Sequence, residues 1–190
     1  MPTPITDDII YGRQALRDYE PWIVPESLTM LRSILKPDFT VFEWGSGGST
    51  IFWAQHCASV ISIEHNPEWI TRTGKMISDS GVANVTLKLV QMDLMNTAPY
   101  LNYANAILEH PNESFDIVFV DGDAAARYPC IMNSLPCVKI GGWLLLDNSD
   151  WFHSDLGPNW PRIDYVAKDL HWVGQAGTFD WWTSIFRRLA

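Results

Sequence analysis

The chain has 190 residues, a length that suits one domain of ordinary size, and 47% of them are hydrophobic against 18% charged. That composition excludes a disordered chain and allows a buried core without a metal or disulfide staple. The formal net charge of −9 counts against phosphate backbones as partners, because nucleic-acid binding needs a basic patch that releases counterions.

The one basic cluster is Arg187-Arg188, which reads as the solvated end of a strand. Cys57, Cys130 and Cys137 are odd in number and form no CxxC pair, so neither a disulfide framework nor a zinc site is expected. They point to a reducing compartment, and the cytoplasm is the expected location. The first residues, MPTPITDDIIYGRQ, lack the basic and apolar stretches of a signal peptide. No apolar run approaches the roughly 20 residues of a membrane span.

Residues 1–24 are broken by Pro2, Pro4 and Pro21, and Leu28, Leu31, Ile34 and Leu35 predict a helix over 26–36. An alternation follows. Residues 39–43 read as a buried strand, 44–48 as a glycine turn and 49–57 as a helix. Residues 59–64 read as a second strand, and 67–80 as a helix opened by Pro67 and stopped by Gly81. A third strand is expected at 85–91, a helix at 98–109, a fourth strand at 115–121, a helix at 125–138 and a fifth strand at 141–147. Strands apolar on both faces, alternating with helices, imply a mostly parallel sheet covered on both sides, a three-layer α/β sandwich. Beyond residue 150, a helix is expected at 161–170, then a hairpin of 171–176 with 179–188 that adds an antiparallel edge. The whole reads as one domain: a helical cap at 1–36, a core at 37–150, and a helix with a hairpin at 151–190.

Open α/β sheets bind ligands beyond the carboxyl ends of their strands, so the residue after each strand carries the information. The first strand is followed by Glu43, Gly45, Ser46, Gly47, Ser49 and Thr50. A dinucleotide fingerprint needs a glycine where Thr50 stands, and a carboxylate at Glu43 suits an amino-bearing ligand better than a pyrophosphate. Glu64, followed by His65, is placed to accept from ribose hydroxyls. Met92 and Asp93 follow the third strand, the one to pack on an adenine ring and the other to accept from its amine. Asp121 follows the fourth strand, and Asp147 with Asn148 the fifth. Three oxygen ligands at adjacent strand ends suit Mg²⁺. Asp121 also reads as a cofactor-side acid, and Asn148 as a turn former.

Together VFEWGSGGST, SVISIEHNPEW, VQMD, FDIVFVDGD and KIGGWLLLDNSD resemble class I S-adenosylmethionine (SAM)-dependent methyltransferases, with the Rossmann-like fold of that family, over roughly residues 37–150. The resemblance implies that Glu43 lies near the SAM amino group. It implies that Gly45, Ser46 and Gly47 line the methionine moiety, Glu64 binds the ribose and Asp93 faces the adenine. Asp121, Asp147 and Asn148 also look like the metal triad of catechol-type O-methyltransferases. The lysine which that subgroup carries after the first Asp is missing from Asp123-Ala124-Ala125-Ala126-Arg127.

The expected activity is methyl transfer from SAM to a small-molecule or sugar acceptor, at a hydroxyl. Asp121 and His153 are the candidate catalytic groups, with His153 as base. Trp151, Phe152, Trp160 and Tyr128 are candidates for an aromatic acceptor wall. An NAD-dependent oxidoreductase and a non-catalytic SAM or nucleotide sensor are the alternatives. A homo-oligomer is left open.

Overall fold

The computed structural model describes residues 16–93, 98–170 and 178–190. A seven-stranded sheet runs through it in the order β3-β2-β1-β4-β5-β7-β6. Strands β1 (Thr40–Trp44), β2 (Ser59–Glu64), β3 (Val85–Leu89), β4 (Phe115–Val120) and β5 (Val138–Asp147) are mutually parallel. Strand β7 (Phe179–Arg187) pairs antiparallel with β5 on one side and with β6 (Arg162–Leu170) on the other.

Alternation along the strands splits the core into two layers. Phe42, Trp44, Val118, Val120, Leu144 and Leu146 face one side, where they bury with Tyr103, Ile107, Cys130 and Ile131. Those partners come from α4 (Leu101–Asn105), the 3₁₀ turn at Ala106–Glu109 and α5 (Arg127–Ser134). Val41, Ile117, Phe119, Leu145 and Ile185 face the other side, against α1 (Pro25–Ile34) and α2 (Gly48–His56) through Leu28, Leu31, Phe52 and Trp53. Helix α3 (Pro67–Ser80) follows β2. Its end signals act as the residues predict: the Asn66 side chain accepts from the Glu68 and Trp69 amides, and Gly81 stops the helix at φ 74°. The three free cysteines are all buried, and burial pushes the Cys57 thiol up to about 12. No described helix is long and apolar enough to cross a membrane.

One element differs in kind from its expectation. Residues 162–170 form a strand, not a helix. Ile163, Val166 and Leu170 fit a helical period, but Ile163, Tyr165 and Ala167 also fit a period of two. Pairing decides between them: Ile163 lies opposite Ile185, Tyr165 opposite Thr183 and Ala167 opposite Trp181. Strand β7 does take an antiparallel partner, and that partner is β6. The expected strand at 171–176 lies outside the described residues.

Candidate functional site

The carboxyl ends of β1, β2, β4 and β5 open on one cleft of about 530 Å³, within the range of about 300–1,000 Å³ usual for small-molecule sites. Its near wall is Gly45 and Ser46 after β1, Glu64 to Asn66 after β2, and Trp69 on α3. Its middle is Asp121, Gly122, Asp123 and Arg127. Its far wall is Asp147, Asn148, Leu170, Phe179 and Trp181, with Trp22 across from them.

The glycine turn is forced by close packing. Gly45 sits at φ 90°, and a Cβ there would meet the Asp121 carbonyl carbon and oxygen at 2.8 Å. The strand ladder continues into the loops, since the Gly45 amide donates to the Ile63 carbonyl at 2.9 Å and the Asp121 amide to Trp44 at 3.0 Å. At Gly122 a Cβ would fall 2.1 Å from the Tyr103 hydroxyl. Backbone therefore comes to the surface of the cleft at both strand ends, which leaves a cradle that side chains would fill.

Glu43 does not line this cleft. It is fully buried beneath the loop, where its carboxyl accepts from Ser49 Oγ at 2.9 Å, Trp53 Nε1 at 3.0 Å and the Thr50 hydroxyl. Burial pushes it up to about 7 against those hydrogen bonds. The group ties the glycine turn to α2 from below, and Ser49 and Thr50 are its ligands. Gly47 lies at the start of α2 beside the Trp69 ring.

Glu64 does line it. Oε1 accepts from the amides of His65 at 2.9 Å and Asn66 at 2.8 Å, and Oε2 from the amide and hydroxyl of Ser46 at 3.1 and 3.0 Å. The Ser46 hydroxyl also lies 3.0 Å from Thr73 Oγ1, so it has a second partner when another donor takes its place on Glu64. His65 lies between Glu64 and Asp123, with Nε2 at 4.0 Å from the Asp123 carboxylate and its buried Nδ1 at 3.3 Å from Glu64 Oε1, outside hydrogen-bond geometry. Met92 is half-buried against the core and Asp93 is exposed. Neither lines the described cleft, and residues 94–97 beside them lie outside the described residues.

The expected metal set takes another form. Asp121 and Asn148 come together, but around the guanidinium of Arg127. Its Nη2 lies 3.3 Å from Asp121 Oδ1, its Nη1 2.9 Å from Asn148 Oδ1 and 2.5 Å from the Asp147 carbonyl, and its Nε 3.0 Å from the Gly122 carbonyl. The Asp147 carboxyl turns away, towards Thr183 Oγ1 at 2.8 Å and Trp181 Nε1 at 3.0 Å. The donors thus already surround a fixed cation, and among the described residues no three acidic, His or Cys side chains converge on a metal position. The set does not fit Mg²⁺. Burial raises the Asp147 carboxyl well above the usual carboxylate range, reinforced by the charge of Asp121. It also pushes Asp121 up to about 6, with Arg127 opposing.

His153 lies outside the cleft, in a separate hollow with Trp160 and Arg162, and so is not placed to act as its base. The expected aromatic wall of Trp151, Phe152, Trp160 and Tyr128 is also elsewhere; the rings that line the cleft are Trp22, Trp69, Phe179 and Trp181. The strand-end rule does not mark Arg127. Its signal was a cation in the first turn of a helix, against the helix dipole.

A family model for methyltransferase domains matches residues 42–149. No curated protein matches the chain by sequence. An rRNA methylase from Streptococcus thermophilus shares the fold at a TM-score of 0.64 and 16% identity, over 87% of this chain and 95% of that one. SMU.1697c from Streptococcus mutans, solved with S-adenosylhomocysteine (SAH), does so at 0.61 and 16%, over 86% and 97%. A precorrin 8W decarboxylase from Methanobacterium thermoautotrophicum does so at 0.60 and 19%, over 85% and 87%. The family match decides against the oxidoreductase reading. With the glycine turn, the acid after β2 and the antiparallel β7 inserted beside β5, the chain belongs to the methyltransferase-domain family, as a class I, SAM-dependent methyltransferase.

Proposed function

We propose that this methyltransferase modifies a small-molecule or sugar acceptor at a hydroxyl group, in the cleft above the ends of β1, β2, β4 and β5. The observation that carries the reading is the cleft itself: a backbone cradle and an acid at one end, and carboxyl groups beside a ring-lined chamber at the other. Gly45, Ser46 and Gly47 hold the methionine part of SAM and Glu64 the ribose, with His65 beside it. Met92 and Asp93 stand on the adenine side. Glu43 acts indirectly, by holding the loop through Ser49, Thr50 and Trp53.

Bound there, SAM supplies a methyl group on a positively charged sulfur that leaves as a neutral thioether. The protein's own tasks are to align the acceptor and to take its proton. Asp121 suits the second task. It lines the cleft, and a carboxyl pushed up to about 6 is both ionised and basic near neutral pH. As the acceptor oxygen takes the methyl group that SAM would supply, its hydroxyl proton would pass to Asp121.

A polynucleotide acceptor fits this chain poorly. The net charge is −9, and the two clustered arginines are engaged within the fold. Arg187 lies over the Trp143 ring at 5.2 Å, and Arg188 donates to the carbonyls of Leu135, Pro136 and Val138.

The test is calorimetric titration with SAM, SAH and NAD⁺, followed by transfer of a labelled methyl group to a panel of alcohols, phenols, amines and RNA. Binding of SAM and SAH but not NAD⁺, with label on a hydroxyl, is expected. Label on RNA or on an amine alone would overturn the acceptor assignment.

A further inference from the structure

The cleft is too wide for its nucleotide end to explain all of it. From β2 to β7 it crosses four strand spacings, about 19 Å at the usual 4.7–4.9 Å per strand. The far end is closed by a consequence of topology. Because β7 runs antiparallel to β5, its first residues, Phe179 and Trp181, lie at the edge where β5 finishes. Because β6 again runs opposite to β7, its last residue, Leu170, arrives at the same edge.

Trp22 completes this chamber from the opposite side of the sequence, and a relay fixes it there. The Val24 amide donates to Thr183 Oγ1 at 3.0 Å, and that hydroxyl donates to Asp147 Oδ1 at 2.8 Å. The Trp181 indole N–H donates to the same oxygen at 3.0 Å, which sets the plane of its ring. Trp22 then meets Trp181 edge-on, with centroids 6.4 Å apart and planes at 71°. Trp22 keeps 41% of its surface exposed, while Trp181 keeps 8%.

We propose that Trp22 and Trp181 determine acceptor specificity, by holding the flat, apolar ring of an acceptor that carries its hydroxyl at one edge. The inference rests on the methyltransferase reading above and chooses between the acceptors that reading allows. The polar groups next to the two indoles, Arg127 and Asp147, favour a ring over a sugar. Arg127 already donates to four oxygens, and the Asp147 carboxyl already accepts from Thr183, Trp181 and the Asn148 amide. A polyol held between the two indoles would bury several hydroxyls where Asp121 can meet one and Arg127 and Asp147 are taken, and each buried polar group without a partner is costly. A ring with one hydroxyl exposes its apolar faces to indole and loses hydration at one point only.

The test uses naphthol and glucose as probes, titrated by calorimetry into the protein saturated with SAH. Naphthol binds and glucose does not, and Trp22→Ala weakens naphthol about tenfold while SAH affinity stays within about twofold. Trp181→Phe, which keeps a ring but removes the indole hydrogen bond to Asp147, weakens naphthol less than Trp181→Ala. Glucose binding without naphthol, or an unchanged naphthol affinity in Trp22→Ala, overturns the proposal and leaves the methyltransferase reading intact. Failure of the wild-type protein to bind SAH removes the cofactor reading itself, and this proposal with it.

Discussion

The Arg127 guanidinium lies 3.3 Å from Asp121 Oδ1, in the notch between the ends of β4 and β5. It stands where a metal would have to stand to bridge Asp121 and Asn148. Replacing it by methionine strands the Asp121 carboxyl, the Asn148 side-chain oxygen and two backbone carbonyls, and should cost about 3 kcal/mol of stability in urea denaturation. Lysine should restore little, because it cannot reach four oxygens in one plane. EDTA should leave the SAM affinity and turnover of the wild-type protein unchanged. A loss of either that Mg²⁺ restores would contradict the guanidinium assignment.

Glu64 accepts four hydrogen bonds, two from backbone amides that follow it and two from Ser46. Glu64→Gln keeps the shape and removes the charge that would receive ribose hydroxyls. Hydrogen bonds to a charged acceptor contribute about 1.5–3 kcal/mol, so SAM and SAH should both bind about tenfold or more weakly by calorimetry. Equal affinity in the two proteins would sink the ribose role.

Glu43 makes stability depend on pH. Its folded carboxyl is pushed up to about 7 from 4.5, so the folded state holds a proton that the unfolded state has lost. Its contribution is fully present below about pH 4.5 and declines as pH rises through 7. Glu43→Gln cannot titrate. The stability of the variant relative to wild type should therefore improve by about 3 kcal/mol between pH 4.5 and 8. A constant difference, measured by denaturant midpoints across that range, would mean that the carboxyl is ionised throughout.

Gly122 faces Tyr103, whose hydroxyl lies 2.1 Å from the place of a Cβ. Gly122→Ala should lower the melting temperature and weaken SAM binding, because the loop must move off the Tyr103 ring. Adding Tyr103→Phe removes the nearest atom but leaves ring carbons at 3.0 and 3.1 Å. Rescue should therefore be partial, and a double-mutant cycle should show coupling of about 0.5–3 kcal/mol. Simple additivity would place the two residues apart.

Asp121, pushed up to about 6, should tie cofactor affinity to pH. The sulfonium of SAM carries a positive charge and SAH carries none at that position. SAM binding should tighten relative to SAH as pH rises through 6, and Asp121→Asn should erase the difference. Parallel pH profiles for the two ligands in the wild-type protein would remove Asp121 from the neighbourhood of the sulfonium.

Much of this site was legible along the chain. Strands β1, β4 and β5 carry buried apolar residues on both faces, and the residues at or just after the ends of β1, β2, β4 and β5 turn toward the cleft or support it. Glu64, Gly45, Ser46 and Asp121 line it as that rule requires. Glu43 obeys the rule in position but not in direction: alternation points its side chain into α2, where Trp53 and Thr50 wait. The far wall was not legible. Trp22, Leu170, Phe179 and Trp181 are separated by up to 159 residues in sequence, and only the insertion of β7 between β5 and β6 gathers them. Nothing local marks Trp181 as more important than Trp151.

That insertion also orders the way the molecule is completed. Strand β7 follows every other strand in sequence yet lies inside the sheet, between β5 and β6. Until it arrives, β5 has an open edge, β6 has no neighbour, and Asp147 lacks both Thr183 and Trp181. The cradle beside β1, β2 and β4 depends on none of these contacts. A chain emerging from the ribosome can therefore assemble the half beside β1, β2 and β4 first, and gains the far wall of its cleft only when β7 pairs with β5 and β6.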